Sequence, residues 1–293
     1  MNLWRAGRRS TIRSERDASI RMSVAGRIFI ALTVIFCLNG PRSCLAQTGF
    51  PGLDTLLAGT QRSAEHRARD QYRHPGETLD FFGLLPSMTV IEILPGADGW
   101  YTEILAPLLR AQGKLITVTQ PRDPDQAYFR QTFDTFNAKL DAAPDVYDKV
   151  ERRILGEALG SRDSADMVLA MRTTHNWIGN GELDARYKAI LAVLKPGGIL
   201  GIEQHRGADD GDPVITARSG YVSERFLIVH LESLGFRFMK KSEINANPRD
   251  TKDYPRGVWA LPPGLALGAQ DRAKYLAIGE SDRMTLKFIK PGP

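Results

Sequence analysis

The sequence predicts a doubly wound α/β domain, and three observations carry that prediction. In Met88 to Leu109, the apolar run Val90, Ile91, Ile93, Leu94 has the look of a buried parallel strand, and Tyr101 to Leu109 then places apolar residues at helical spacing. Similar short apolar segments recur as KLITVT (114–119), DMVLAM (166–171) and ILGIEQH (199–205), with stretches long enough for helices around them. Punctuation agrees: Gly113 stops one helix, and Lys195, Pro196, Gly197 and Gly198 stop another directly before a strand.

The elements follow in chain order. Ile28 to Leu38 (IFIALTVIFCL) is an apolar run preceded by Arg21 and Arg27, too short to cross a bilayer comfortably. Cys44, Leu45 and Ala46 then put small residues at the two positions a signal peptidase reads. The expectation is a signal peptide over 1–46, starting at Met1 or Met22, and a periplasmic or secreted mature chain from Gln47 with no membrane anchor. An uncleaved anchor is the alternative. The leader holds eight arginines against Glu15 and Asp17, a net +6, so the rest of a chain of formal charge +5 is close to −1. No broad nucleic-acid surface is implied. Both cysteines, Cys37 and Cys44, fall in the leader, which excludes disulfides and thiolate metal sites from the mature chain.

Residues 47–86 form an N-terminal helical segment, with an amphipathic helix from Gly52 to Gln71 and a second from Glu77 to Leu84. The charges of RSAEHRARDQYRHP read as a solvated face, although Arg73 and His74 could instead reach a ligand at the following turn. The main domain spans 87–293. Its first strand ends in a turn of Pro95, Gly96, Asp98 and Gly99, with Asp98 placed to cap the next helix and Pro107 expected to kink it. A strand at 114–119, a helix at 126–140 and a strand at 149–155 follow, then a strand at 166–171, a helix at 182–194 and a strand at 199–205. A helix at 221–234 leads to an edge strand at 236–242, and Met284 to Lys290 closes the domain as a seventh strand. Between these last two, residues 245–279 carry Trp259, four prolines and a short helix near Arg272 to Ala277. A connection of that length reads as a lid or substrate wall.

A glycine turn between strand and helix lets backbone amides approach a ligand at the positive end of the helix, and Glu92 adds a carboxylate nearby. The other reading of these residues is a plain strand-to-helix connection with a buried glutamate. At this point the chain resembles the class I S-adenosylmethionine (SAM) methyltransferases, most closely a group of bacterial predicted methyltransferases with secretion signals. VIEILPGADGWYTEIL is similar to the SAM-binding first motif, LKPGGILGIEQH to the segment around strand five, and RDQYRHP, RTTHNW, SEINANP and GESDRMTLKFIKP to the narrower group's signatures. The resemblance implies a Rossmann-like seven-stranded methyltransferase sheet, mostly parallel with an antiparallel last strand. It also implies SAM as cofactor and a small-molecule substrate. Carried onto this sequence, Glu92, Gly96, Gly99, Trp100 and Tyr101 would line the amino-acid portion of SAM, and Glu157 would lie near adenine. Two features depart from the pattern. Leu94 stands where the first glycine of the motif belongs, and strand two ends in Thr119, Gln120, Pro121 where an acid normally holds the ribose, leaving Asp123 as its substitute.

The ligand in such a sheet lies beyond the carboxyl ends of the parallel strands. Arg172, His175, Asn176 and Trp177 follow strand four, and His205 follows strand five. An antiparallel last strand would begin at the same end, with Asp282 and Arg283. His175 or His205 is the candidate base, Asp282 the residue that would orient an imidazole, and Arg172, Asn176, Trp177 and Arg283 the candidate substrate contacts. Each histidine has an alternative as a capped loop residue, and Trp177 as a packing residue. No HxH or HExxH pattern is present, and no resident metal is expected. An exported binding protein or another enzyme reusing the fold without SAM is the alternative function.

Overall fold

The computed structural model describes residues 52–292. The leader, its cleavage before Gln47 and both cysteines lie outside the described residues.

Residues 52–82 are not one long helix followed by a second. Helix α1 (Leu53–Ala58) ends at Gly59, and Ser63 opens α2 (Ala64–Ala68) by accepting from the His66 amide at 3.1 Å. Helix α3 (Asp70–Arg73) follows, and α4 (Pro75–Phe82) begins at a proline and stops at Gly83, whose φ of 78° suits glycine. The charged run is not a solvated face either. Arg62 and Arg73 are each only 1% exposed, and both terminal nitrogens of Arg62 sit 2.7 Å from the oxygens of Asp70.

The sheet begins with β1 (Thr89–Ile93), after which come α5 (Thr102–Leu109), β2 (Lys114–Thr119), α6 (Ala127–Ala142), α7 (Pro144–Tyr147) and β3 (Glu151–Ile154). Then follow β4 (Ala165–Met171), α8 (Thr174–Gly179), α9 (Leu183–Val193) and β5 (Leu194–Gly207). The last part holds α10 (Pro213–Ala217), β6 (Val222–Ser223), α11 (Glu224–Ser233), β7 (Arg237–Ser242), a 3-10 turn at Gly257–Ala260, α12 (Arg272–Ile278) and β8 (Arg283–Ile289). Strand order is β3-β2-β1-β4-β5-β8-β7, with the two-residue β6 beside the end of β5. Strands β3 to β5 pair in parallel, and β8 runs antiparallel between β5 and β7. All seven expected strands are therefore present, with the expected reversal in the last.

Alternation along β1 shows the two faces. Val90 joins Leu79, Phe82, Leu105 and Phe136 on one side, while Ile91 and Ile93 join Tyr187, Ile190 and Leu227 on the other. Helices α1 and α4 thus help build the first of these cores. Pro107 is accommodated inside α5: the Glu103 carbonyl, which loses its usual helical partner, accepts from the Gln61 side-chain amide at 3.3 Å. Asp98 does not cap α5, which has no side-chain cap; its own carbonyl accepts from Lys139. No helix forms across residues 155–164 between β3 and β4, which leaves a slot on the second face.

Candidate functional site

The carboxyl ends of β1, β2, β4 and β5 meet at one edge of the sheet, beside the point where strand order reverses between β1 and β4. The turn after β1 enters left-handed backbone at Leu94 (φ 53°), Gly96 (φ 78°) and Gly99 (φ 56°). Leu94 therefore keeps the backbone that glycine would adopt, at a cost of about 1–2 kcal/mol. A side-chain carbon at Gly96 would meet nothing within 4 Å, so the turn is open there. At Gly99 it would lie 2.8 Å from the Phe136 ring, so that glycine serves the packing of α6.

Two adjoining cavities occupy the cleft. The smaller, about 120 Å³, is bounded by Leu94, Pro95 and Gly96, by Thr119 and Gln120 at the end of β2, and by Thr132 and Thr173. The larger, about 440 Å³, adds His175, Asn180, His205 and Trp259. Gln120, Tyr128, Phe129, Arg172 and Asn176 line both. The structure thus brings Arg172, Asn176, His175, His205 and Gly96 together. Tyr128 and Phe129 did not stand out in the sequence, although an aromatic pair at the start of a polar helix is a usable signal, and Gln120 stood out only as a departure from the usual acid.

The histidines lie side by side, with ring centroids 5.8 Å apart, and each is 7% exposed. Gln204 donates to the Gly220 carbonyl at 2.9 Å, which fixes its amide, and its second N–H reaches His175 Nδ1 at 3.2 Å. His175 Nδ1 also lies 3.4 Å from the Gln204 side-chain oxygen, so it can accept from the amide or donate to the oxygen, and either ring nitrogen can carry its proton. His205 Nδ1 pairs with Ser281 Oγ at 2.5 Å, a partner able to donate or accept, so His205 can present a bare second nitrogen to the cavity. Burial lowers His175 to about 4. Burial, followed by the charges of Arg283, His175 and Arg172, holds His205 well below the ordinary imidazole range.

Asp282 orients neither histidine, a correction to the sequence reading. Arg206 grips it at 3.1 and 2.9 Å, Lys252 lies 3.0 Å away, and the Asn247 amide donates to it at 3.0 Å. Arg283 is likewise not a substrate contact. It is 1% exposed and paired with Glu203 at 3.2 Å and with Glu280. Glu280 also receives Arg69 at 2.6 Å and Arg73 at 2.9 Å, and Glu203 receives the Tyr101 hydroxyl at 3.1 Å. Burial pushes the Glu280 carboxyl up, but Arg283, Arg73 and Arg69 outweigh it and leave the group far below the usual carboxylate range.

Three further residues expected at the cofactor serve packing instead. Trp100 is 4% exposed between Arg62 and Arg73, whose guanidinium carbons lie 5.1 and 4.8 Å from its ring centroid, and its N–H donates to His66. Tyr101 is tied to Glu203, as described. Glu92 is 3% exposed, accepts from Thr102 Oγ1 at 2.6 Å and lines neither cavity. Burial raises its carboxyl to about 7. Trp177 is 1% exposed, stacks edge-on against Tyr187, and faces the uncovered slot after β3 together with Leu155 and Glu157. That slot has a volume of about 210 Å³. Among the described residues no group of three His, Cys, Asp or Glu converges as a metal site, and no helix is long and apolar enough to cross a membrane.

No protein-family model matches the sequence, and no curated protein matches it. Solved structures do. The [4+2]-cyclase SpnF aligns with a TM-score of 0.53 at 18% identity, over 80% of this chain and 85% of its own. A chain in the complex of the Haloferax volcanii Trm112 methyltransferase activator with a candidate methyltransferase aligns at 0.51 and 13% identity, over 82% and 96%. A candidate sarcosine dimethylglycine methyltransferase from Galdieria sulphuraria aligns at 0.50 and 13%, over 83% and 91%. The chain has the class I methyltransferase fold. In this methyltransferase fold the open turn at Gly96 and both cavities sit at the switch point between β1 and β4. One neighbour is a cyclase, so the fold is shared by more than one chemistry.

Proposed function

We propose that the protein is a SAM-dependent methyltransferase acting on a small molecule. The observation that carries the reading is the open turn at Gly96 leading into two joined cavities at the switch point. The residues present fit the cofactor. Gly96 leaves room for the amino-acid portion, Gln120 offers an amide to the ribose where a carboxylate is usual, and the slot of Leu155, Glu157 and Trp177 accepts a flat ring. Bound SAM supplies an electrophilic methyl group on a sulfonium. The chain's own work is to hold the acceptor in line, to exclude water and to take a proton. His205 is the base in this reading, through the nitrogen that Ser281 leaves free, and His175 beside it orients the acceptor through Nε2. Residues 245–279 act as the cavity wall: Val258 is tied to the Ser219 carbonyl at 2.9 Å, and Trp259 faces the larger chamber. The arginine-flanked apolar run at 28–38 supports export, with the protein working in the periplasm or outside the cell.

A second reading is an exported ligand-binding protein or a non-methyltransferase enzyme on the same fold. One observation favours it: Asp123, the substitute for the ribose acid, is turned onto its own loop, accepting from the amides of Asp125 at 2.8 Å and Gln126 at 3.2 Å. Calorimetric titration of the purified protein with SAM and S-adenosylhomocysteine separates the two. Micromolar binding, about −8 kcal/mol, supports methyl transfer, and no binding by the folded protein favours the second reading.

A further inference from the structure

The larger chamber has an uneven charge balance. Arg172 is the one formally charged residue lining it, and no carboxylate reaches it. Among the described residues the Arg172 side chain has no hydrogen-bond or ion-pair partner. The nearby Arg69, Arg73 and Arg283 are all paired with Glu203 or Glu280. Asp282, the next acid along, is fully engaged by Arg206 and Lys252. Four guanidinium groups therefore surround two carboxylates, and the one left over, Arg172, stands where the two cavities adjoin. Its placement is imposed by the backbone. Arg172 sits at φ 59°, a conformation that costs an arginine about 1–2 kcal/mol, and its amide is locked on the Glu203 carbonyl at 2.6 Å.

The walls are aromatic. Tyr128 of α6 is 74% exposed and Trp259 of the 257–260 turn is 43% exposed, large apolar faces left bare at one chamber, with Phe129 beside them. A guanidinium with free N–H groups matches a carboxylate in two parallel hydrogen bonds, and bare aromatic faces match a flat ring.

We infer that the larger chamber takes a planar aromatic carboxylate as the methyl acceptor, its carboxylate on Arg172 and its ring among Tyr128, Phe129 and Trp259. Naming this molecule the acceptor rests on the methyltransferase reading; the anion site itself does not. The histidines line the same chamber, where a hydroxyl or amino substituent of the ring would be the nucleophile.

The test is calorimetry of the full protein, with and without saturating S-adenosylhomocysteine. The probes are 4-hydroxybenzoate, salicylate and indole-3-carboxylate, each set against its primary amide. At least one acid is expected to bind, with its amide at least tenfold weaker. Arg172→Asn, chosen because asparagine tolerates left-handed backbone, should weaken the acid by about 10- to 100-fold, the worth of a charged hydrogen-bond pair. Arg172→Lys should recover part of the loss, and S-adenosylhomocysteine affinity should be unchanged in both variants. Amides binding as well as acids, or no acid binding at all, overturns the inference. Loss of S-adenosylhomocysteine affinity in Arg172→Asn also overturns it, because Arg172 would then serve the cofactor's own carboxylate. Acid binding without S-adenosylhomocysteine binding keeps the anion site and removes the methyltransferase reading alone.

Discussion

Replacing Arg283 by methionine tests whether the buried ion network is held by mutual need. Arg283 is 1% exposed and touches two carboxylates, but they depend on it unequally. Glu280 keeps Arg69 at 2.6 Å and Arg73 at 2.9 Å, whereas Glu203, also 1% exposed, keeps only the Tyr101 hydroxyl at 3.1 Å. Arg283→Met thus leaves one carboxylate orphaned in the interior, a loss of about 3–5 kcal/mol. Because Arg73 and Arg172 are also relieved of a like charge, about 3 kcal/mol is the expected value. Adding Glu203→Gln removes the orphaned charge and keeps an acceptor for Tyr101, so the double variant should recover to within about 1–2 kcal/mol of the parent. Urea unfolding at neutral pH reads both, with an unchanged slope as evidence that the same transition is measured. A loss below about 1 kcal/mol in Arg283→Met, or a double variant no more stable than the single, would refute the reasoning.

Burial raises Glu92 from its ordinary value of 4.5 to about 7, so the folded chain binds the extra proton. The stabilisation from that proton is complete below about pH 4.5 and lost as pH rises through about 7, up to about 3 kcal/mol; Glu92→Gln should flatten this limb of the stability curve. His175 titrates at about 4 and His205 is held low, so kcat/KM should show no histidine limb between pH 5 and 8, and a fall in rate below pH 6.5 would argue against both. Trp259→Ala should weaken acceptor binding roughly tenfold while urea stability changes by less than about 1 kcal/mol, because the indole is 43% exposed; a larger stability loss would make it a packing residue. Leu94→Gly should leave stability within about 1 kcal/mol, since relief at φ 53° offsets the lost packing, and should tighten S-adenosylhomocysteine binding by enlarging the turn cavity, a result that titration calorimetry checks.

The sheet was legible because its information is local. Val90 to Ile93, Lys114 to Thr119 and Ala165 to Met171 are short, apolar and rich in β-branched residues, and nothing distant has to be known to place them. Even the edge position of Arg237–Ser242 was readable, since a strand with alternating basic residues needs a solvated side. The helix drawn from Gly52 to Gln71 failed on signals that are local too: Gly59 ends α1 and Ser63 restarts the chain as a cap. Pro107 is the opposite case. Its tolerance depends on Gln61, which lies 42 residues upstream of the carbonyl it satisfies.

The charged residues were misplaced for a reason that periodicity cannot reach. A run such as RSAEHRARDQYRHP is solvated unless distant acids are brought to it, and the acid that takes Arg69 and Arg73 is Glu280, more than 200 residues later. The same limit decides which neighbour serves the histidine. Ser281 and Asp282 are adjacent, and either could have been named as its partner. His205 pairs with Arg283 across β5 and β8, and the chain entering β8 then brings Ser281 to the His205 ring while Asp282 lies against Arg206. A one-residue shift of that register would exchange them and put a carboxylate on the imidazole. Its effect would reach the chemistry, because a carboxylate would hold the proton on Nδ1 and favour the charged ring, whereas a serine hydroxyl, in a buried site with the charges of Arg283, Arg172 and Arg73 nearby, leaves the ring neutral and makes it a weaker base.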